Sequence, residues 1–320
     1  MKITLYPPLS IHEIGQRDNQ EDSIAQWDNR LFVLCDGMGG HEKGEVASQT
    51  VCQSFVSWFE EHIDPDEPFT DDQLRVAIEH AYTELDKFAD DNPRQMGTTL
   101  TLLYIHSQGV TAAHIGDSRI YHIRPFLGNR QGEKYLHLYV SRDHSLVFDL
   151  FQAGEITYEE MRNYPQKNIV TRAMTPGEDN RMRPDIIHIT DIKNGDWFYL
   201  CSDGLLERIN TNYLTALLSS RSESDEQKSQ FVIEATSKSQ DNHSGWFIRV
   251  KEVTSEPNDE TLVNEEPTAR CNAINIIPQS VPESDVDDVV IVKESPKKQS
   301  FILRLKNLIR FTKNKRNIMT

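Results

Sequence analysis

Leu31–Gly40 reads LFVLCDGMGG, and Trp197–Gly204 reads WFYLCSDG. Both begin with five apolar or sulfur-bearing residues, LFVLC and WFYLC, too short for an ordinary helix and suited to a strand buried on both faces. Both then reach Asp-Gly, so Asp36 and Asp203 stand at the ends of apolar strands. One Asp-Gly signals no more than a turn. Two in the same setting point to a shared site.

Outward from these strings, Thr98–Ile105, Val110–Ile115 and Arg119–Arg124 are β-rich runs separated by Ser107–Gly109 and Gly116–Ser118, the spacing of an antiparallel meander. Between the first strand and this meander, Val51, Phe55, Trp58 and Phe59 recur at helical steps, as do Leu74, Ile78, Ala81, Leu85 and Phe88. Each set forms an apolar stripe that packs a helix on the sheet. Further helical patterns cover 212–220 and 226–237. Helices and strands are grouped and do not strictly alternate, so the class is α+β.

The 320 residues carry 50 acids against 34 Lys and Arg, a formal net charge of -16. A surface of that sign disfavours nucleic acid, whose phosphates it would repel, and can collect divalent cations. Cys35, Cys52, Cys201 and Cys271 lie far apart without CxxC spacing and read as buried thiols of a reducing compartment. The opening MKITLYPPLSIHEIG lacks the pattern of a secretory leader, and no run approaches the roughly 20 apolar residues of a membrane span. A cytoplasmic protein is expected. Residues 1–250 form the expected folded domain. Residues 251–296 lose nearly all aromatics, turn acidic, and read as a flexible linker.

Acids recur at turns and strand ends: Glu21 and Asp22 in RDNQED, Asp36, Asp117 in IGDSR, Asp203, and Asp241 in SQDNHSG. Such carboxylates beside small residues suit a hard cation, because carbonyls and water can complete an oxygen shell. No His or Cys spacing suggests zinc, so Mg²⁺ or Mn²⁺ is favoured.

The order R-x-x-x-E-D, DGMGGH, GTT, GDSR, DHS, NIVTRAM, SDGL and DN, over about residues 12 to 250, resembles the protein phosphatase 2C family of metal-dependent Ser/Thr phosphatases, in its bacterial form. The resemblance implies an antiparallel β-sandwich flanked by helix pairs, in α-β-β-α layers. It implies that Asp36 bridges two ions, that the Gly37 carbonyl, Asp203 and Asp241 complete the first, and that Glu21 and Asp22 hold the second, directly or through water. Asp117 would support a third, weaker ion found in some members. A water bridging the ions would attack phosphorus in line, and Arg17 would grip phosphate oxygens with its planar fork. Gly97, Thr98, Thr99 and Asn242 would support the site, with Asn242 orienting Asp241.

Two residues depart from the pattern. Gln20 stands where the bacterial motif has Asn, conserving the amide at a longer reach. Met38 replaces the histidine that serves eukaryotic members as general acid, and a thioether donates no proton. An ion-bound water and His41 are both candidates for that task. Ser145–Ala173 resembles the flap that influences substrate choice in this family.

Residues 297–320 reverse the charge: Lys297, Lys298, Arg304, Lys306, Arg310, Lys313, Lys315 and Arg316 occur with no acid among them. Phe301, Ile302, Leu305, Leu308 and Ile309 share one face of a basic amphipathic helix that Ser300 could cap. An anionic membrane at the inner face, a partner protein and the acidic body itself are all suitable surfaces for 297–316. The expected activity is a monomeric phosphoserine/phosphothreonine phosphatase opposing a Ser/Thr kinase. The alternative is a non-catalytic phosphoprotein-binding scaffold on the same fold.

Overall fold

The computed structural model describes residues 1–39, 43–89, 96–125, 136–157, 160–161, 164–177 and 181–254. His41, Cys271, most of the linker and the basic tail lie outside the described residues.

In chain order the strands are β1 (Lys2–Leu5), β2 (Leu9–Glu13), β3 (Asp22–Trp27), β4 (Leu31–Gly39), β5 (Met96–Thr98), β6 (Leu100–His106), β7 (Gly109–Ile115), β8 (Arg119–Arg124), β9 (Leu136–Val140), β10 (Asp185–Ile189), β11 (Trp197–Cys201) and β12 (His243–Thr254). The helices are α1 (Lys43–His62), α2 (Asp71–Asp86), α3 (Leu146–Gln152), α4 (Asp203–Leu206), α5 (Thr211–Ser219) and α6 (Asp225–Thr236). Thr70 and Gln73 form a reciprocal capping box on α2, as Ser224 and Gln227 do on α6.

One sheet has the order β1-β12-β11-β8-β9, with β2 also on β12; the other runs β10-β7-β6-β4-β3, with β5 on β4. All pairings are antiparallel. Alternation along the two apolar strings builds the layers. On β4, Leu31, Val33 and Cys35 face α1 and α2, while Phe32 and Leu34 face the opposite sheet. On β11, Phe198 and Leu200 join that inter-sheet core, and Trp197, Tyr199 and Cys201 pack with α5 and α6 residues Leu214, Leu217 and Val232. The result is the expected α-β-β-α sandwich. Trp246 of β12 reaches across it, its indole Nε1–H donating to the Val33 carbonyl at 3.1 Å.

Four local expectations change. The Asp36-Gly37 pair is not a turn: β4 runs through it, pairing Gly37 with Thr98 and Gly39 with Met96. The 98–105 run is split at Thr99, because the Thr99 N–H turns to the Asp36 carbonyl and the Thr98 N–H to that of Met174. Phe88 lies beyond the end of α2 and is exposed, so it does not extend that helix's stripe. β12 continues to Thr254, where its far end pairs with β1.

Candidate metal and phosphate site

The acids converge at one rim of the sandwich, from both sheets. Asp22 opens β3 directly opposite Asp36 on β4. From the other sheet, Asp203 begins α4 just after β11, and Asp241 lies two residues before β12. Asp117 lies on the connection from β7 to β8, which passes between the sheets.

Close backbone approach makes this convergence possible. A Cβ on Gly37 would stand 2.1 Å from the Gly44 carbonyl oxygen and 2.6 Å from that of Glu21; one on Gly204 would meet the Asn242 carbonyl at 2.1 Å. The Gly37 N–H donates to the Glu21 carbonyl at 3.0 Å, tying the segment before β3 to β4.

Electrostatically the cluster opposes itself. Burial raises the Asp36 carboxyl well above the usual carboxylate range, and Asp22, Asp203, Asp117 and Asp241 push it further. Burial likewise lifts Asp22 to about 7, against the hydrogen bond from Ser202. Burial, then Asp203 and Asp143, lift Asp117 to about 8. Asp203 rises to about 6 through burial and the charges of Asp241 and Glu207. Like charges brought together out of water need protons or cations between them. The oxygen-only donor set fits a hard divalent ion. So does Asp22, fully buried, whose Oδ2 accepts from the Ser202 hydroxyl at 2.8 Å while its Oδ1 has no partner.

Supporting bonds hold the backbone around these acids. The Thr98 hydroxyl donates to the Asp36 carbonyl at 3.0 Å, and Thr99 Oγ1 accepts the Asp36 N–H at 2.9 Å. Gln20 Oε1 accepts the Asp22 N–H at 3.0 Å, so the longer amide keeps a hydrogen bond near the site. Asn242 serves two acids. Its backbone N–H bonds Asp241 Oδ1, but its side chain accepts from the Glu21 N–H at 2.7 Å and donates to the carbonyls of Ile14 and Asn19, so the amide orders the segment leading to Glu21. Arg17 stands beside the cluster, pairing with Asp241 at 2.7 Å while half exposed. Met38 lies on β4 opposite Gly97.

Sequence reasoning missed Ser202, Thr99 as an anchor of Asp36, and Ser48, whose hydroxyl donates to the Glu21 carbonyl at 2.6 Å. Ser202 precedes Asp203 in SDGL and could have been suspected; Ser48 carries no signal. A different group, His114, His144 and Asp185, brings one ligand atom from each residue within 4.8 Å of the others.

Buried and half-buried carboxylates gathered around a place for hard cations, with an arginine beside them, define equipment for metal-dependent phosphoester hydrolysis. The particular family is established by comparison: the protein phosphatase 2C model matches residues 12–237, and the chain belongs to that family. The protein phosphatase PhpP of Streptococcus pneumoniae is 36% identical over 220 residues, 65% of this chain and 82% of that protein. The crystal structure of the Mycobacterium tuberculosis serine/threonine phosphatase PstP/Ppp superposes with a TM-score of 0.65 at 27% identity, covering 78% of this chain and all of that one (100%). The PstP catalytic domain in complex with two manganese ions gives a TM-score of 0.61 at 28% identity, covering 78% of this chain and 99% of that one.

Proposed function

We propose that this chain hydrolyses phosphoserine and phosphothreonine in proteins using Mg²⁺ or Mn²⁺, and that it opposes a Ser/Thr kinase. The observation that carries the reading is the self-repelling carboxylate cluster, with Arg17 at its edge. Asp36, Asp203, Asp241 and the Gly37 carbonyl would hold one ion, and Asp36, Glu21 and Asp22 the other; Asp117 would support a third. Divalent ions bound there neutralise charge on the phosphoryl group and acidify water.

The chain's own residues do the positioning. Arg17 would receive the phosphoryl oxygens with its planar, fixed fork. Thr98 and Thr99 fix the Asp36 backbone from both its C=O and N–H sides. Ser202 and the Gln20 amide hold Asp22. The leaving-group proton has no side-chain donor at Met38.

Phosphate release from a phosphothreonine peptide, with Mn²⁺ or Mg²⁺ and with EDTA, tests the proposal against the Asp36→Ala and Asp203→Ala variants. Turnover without metal, or full activity in both variants, would overturn it. Among the described residues no helix is long and apolar enough to cross a membrane. Peripheral contact through 297–316 is tested by liposome co-sedimentation of the full chain against a 1–296 truncation; equal sedimentation eliminates it.

A further inference from the structure

The turn presenting Asp117 is gripped on both sides by Asp143 and His144, remote in sequence from it. The Gly116 N–H donates to His144 Nδ1 at 3.1 Å, and the His144 N–H donates back to the Gly116 carbonyl at 2.9 Å. Arg119 meets Asp143 through two bonds of 2.7 and 2.6 Å. Between them the Ser118 hydroxyl contacts Thr99 Oγ1 at 2.8 Å, the same oxygen that accepts the Asp36 N–H. Gly116 has φ +105°, and a Cβ there would stand 2.5 Å from the Thr99 methyl, so the turn has one tight seat.

His144 is engaged at its other ring nitrogen as well. Because its Nδ1 accepts the Gly116 N–H, its proton resides on Nε2, which donates to Asp185 Oδ2 at 3.2 Å. The other Asp185 oxygen takes Arg172 at 3.2 Å, and the His144 carbonyl accepts the Thr171 N–H at 2.8 Å. The His114 ring stacks on that of His144, with centroids 4.7 Å apart and planes 9° from parallel, and its Nε2–H is fixed on the Arg142 carbonyl at 2.7 Å. Both rings are buried. A cation among His114, His144 and Asp185 would have to displace the Nε2 proton of a ring whose other lone pair is already committed. The cluster is therefore built to link.

We propose that His144 is a positioning residue: it seats the Gly116–Asp117 turn against the carboxylate cluster and ties that seat, through Asp185, to the 169–172 segment. The proposal rests on the reading of Asp117 as support for the weakest ion. Side chains that orient a metal's supports typically govern affinity by about 10- to 100-fold.

The test measures Mn²⁺ binding to the full-length protein by electron paramagnetic resonance of free Mn²⁺, with melting temperatures in parallel. The variants are Asp117→Ala, His144→Ala, His144→Asn and Asp185→Ala. Asparagine places its Oδ1 near the position of histidine Nδ1, restoring the Gly116 acceptor without reaching Asp185. His144→Ala should weaken the weakest site about tenfold, and His144→Asn should recover most of that loss. Asp185→Ala should leave that affinity within about threefold of wild type while speeding amide hydrogen exchange across 169–172. If Asp117→Ala removes an ion while His144→Ala binds like wild type, or if alanine and asparagine are equally impaired, the positioning role is overturned. If Asp117→Ala leaves all binding unchanged, the ion reading of Asp117 falls first, and the proposal with it. If His144→Ala does not fold, the asparagine variant decides: a full tenfold loss in it contradicts the proposal.

Discussion

Stripping the protein of divalent ions and raising the pH should destabilise it, because the acid cluster then charges with nothing to offset it. Asp22, Asp36, Asp117 and Asp203 all have folded-state values above the ordinary carboxylate value of 3.8. A group of this kind binds more protons folded than unfolded, so its stabilising contribution is complete below the unfolded pKa and is lost as pH rises through the folded one. Buried His106 and His114 work in the opposite sense, their values depressed below 6.5 by burial, so their contribution is complete above about that pH. The clean interval is therefore about pH 6.5 to 8.5.

Over that interval half-buried Asp117, lifted to about 8, accounts for at most about 2 kcal/mol, and fully buried Asp22, lifted to about 7, for about 0.8 kcal/mol. Repulsion is shared between partners, so the loss is about 2 to 3 kcal/mol rather than a sum over every acid. For a body of this size that is a fall in Tm of about 5 to 10 °C, read by calorimetry in EDTA. Saturating Mn²⁺ should abolish the fall, since each ion binds the folded state and displaces protons. Asp36→Asn, which removes one charge and keeps the shape, should melt higher than wild type at about pH 8.5 without metal. A flat or rising metal-free Tm, or an Asp36→Asn protein with the wild-type slope, would refute the electrostatic argument.

Arg17→Ala should lower kcat/KM for a phosphothreonine peptide by about 10- to 100-fold, the worth of charge-assisted bonds to phosphate, while moving stability by less than about 1 kcal/mol because its pair with Asp241 is solvent-screened. Gly37→Ala forces its new Cβ against the Gly44 and Glu21 carbonyl oxygens; calorimetric Mn²⁺ titration should show lost affinity in a protein whose circular dichroism is retained. Trp246→Phe leaves the buried Val33 carbonyl without its indole donor and should cost about 1 to 3 kcal/mol in denaturant unfolding, with no change in the Mn²⁺ dependence of activity.

The two apolar strings announced the fold because their strands are covered on both faces, which writes an unbroken hydrophobic run into the sequence. Asp36 and Asp203 were legible for the related reason that carboxylates rarely follow such runs without a partner. Tertiary bonds overrode the local signals elsewhere. Asp-Gly favours a turn, yet Asp36-Gly37 stays extended because β5 pairs with it and the missing Cβ leaves room for Glu21 and Gly44. Thr98–Ile105 favours one strand, yet Thr98 and Thr99 direct their N–H groups to Met174 and Asp36. The hydroxyl anchor Ser48 was invisible, since only the fold brings it to Glu21, and Ser202 was marked only by its place beside Asp203, with nothing to show that it reaches Asp22. Asn242, expected to orient Asp241, bonds it through the backbone N–H, while its side chain serves Glu21 because the segment before β3 lies within its reach.

The origin of the acids in both sheets also explains how a cluster that repels itself is tolerated. Asp22 and Asp36 ride on one sheet while Asp203 and Asp241 ride at strand ends of the other, so their repulsion acts largely to part the sandwich at that rim. Opposing it are Phe32 and Leu34 from one sheet and Phe198, Leu200, Trp246 and Ile248 from the other, each worth roughly 1.5 to 3 kcal/mol when fully buried. Together they exceed the few kcal/mol of repulsion several-fold. The inter-sheet core can therefore hold the carboxylates close together before any ion arrives, and the energy stored at the rim becomes binding energy for the cations that relieve it. By this reasoning, core substitutions that loosen the sandwich without touching an acid should weaken Mn²⁺ binding, and the effect should grow with proximity to the rim.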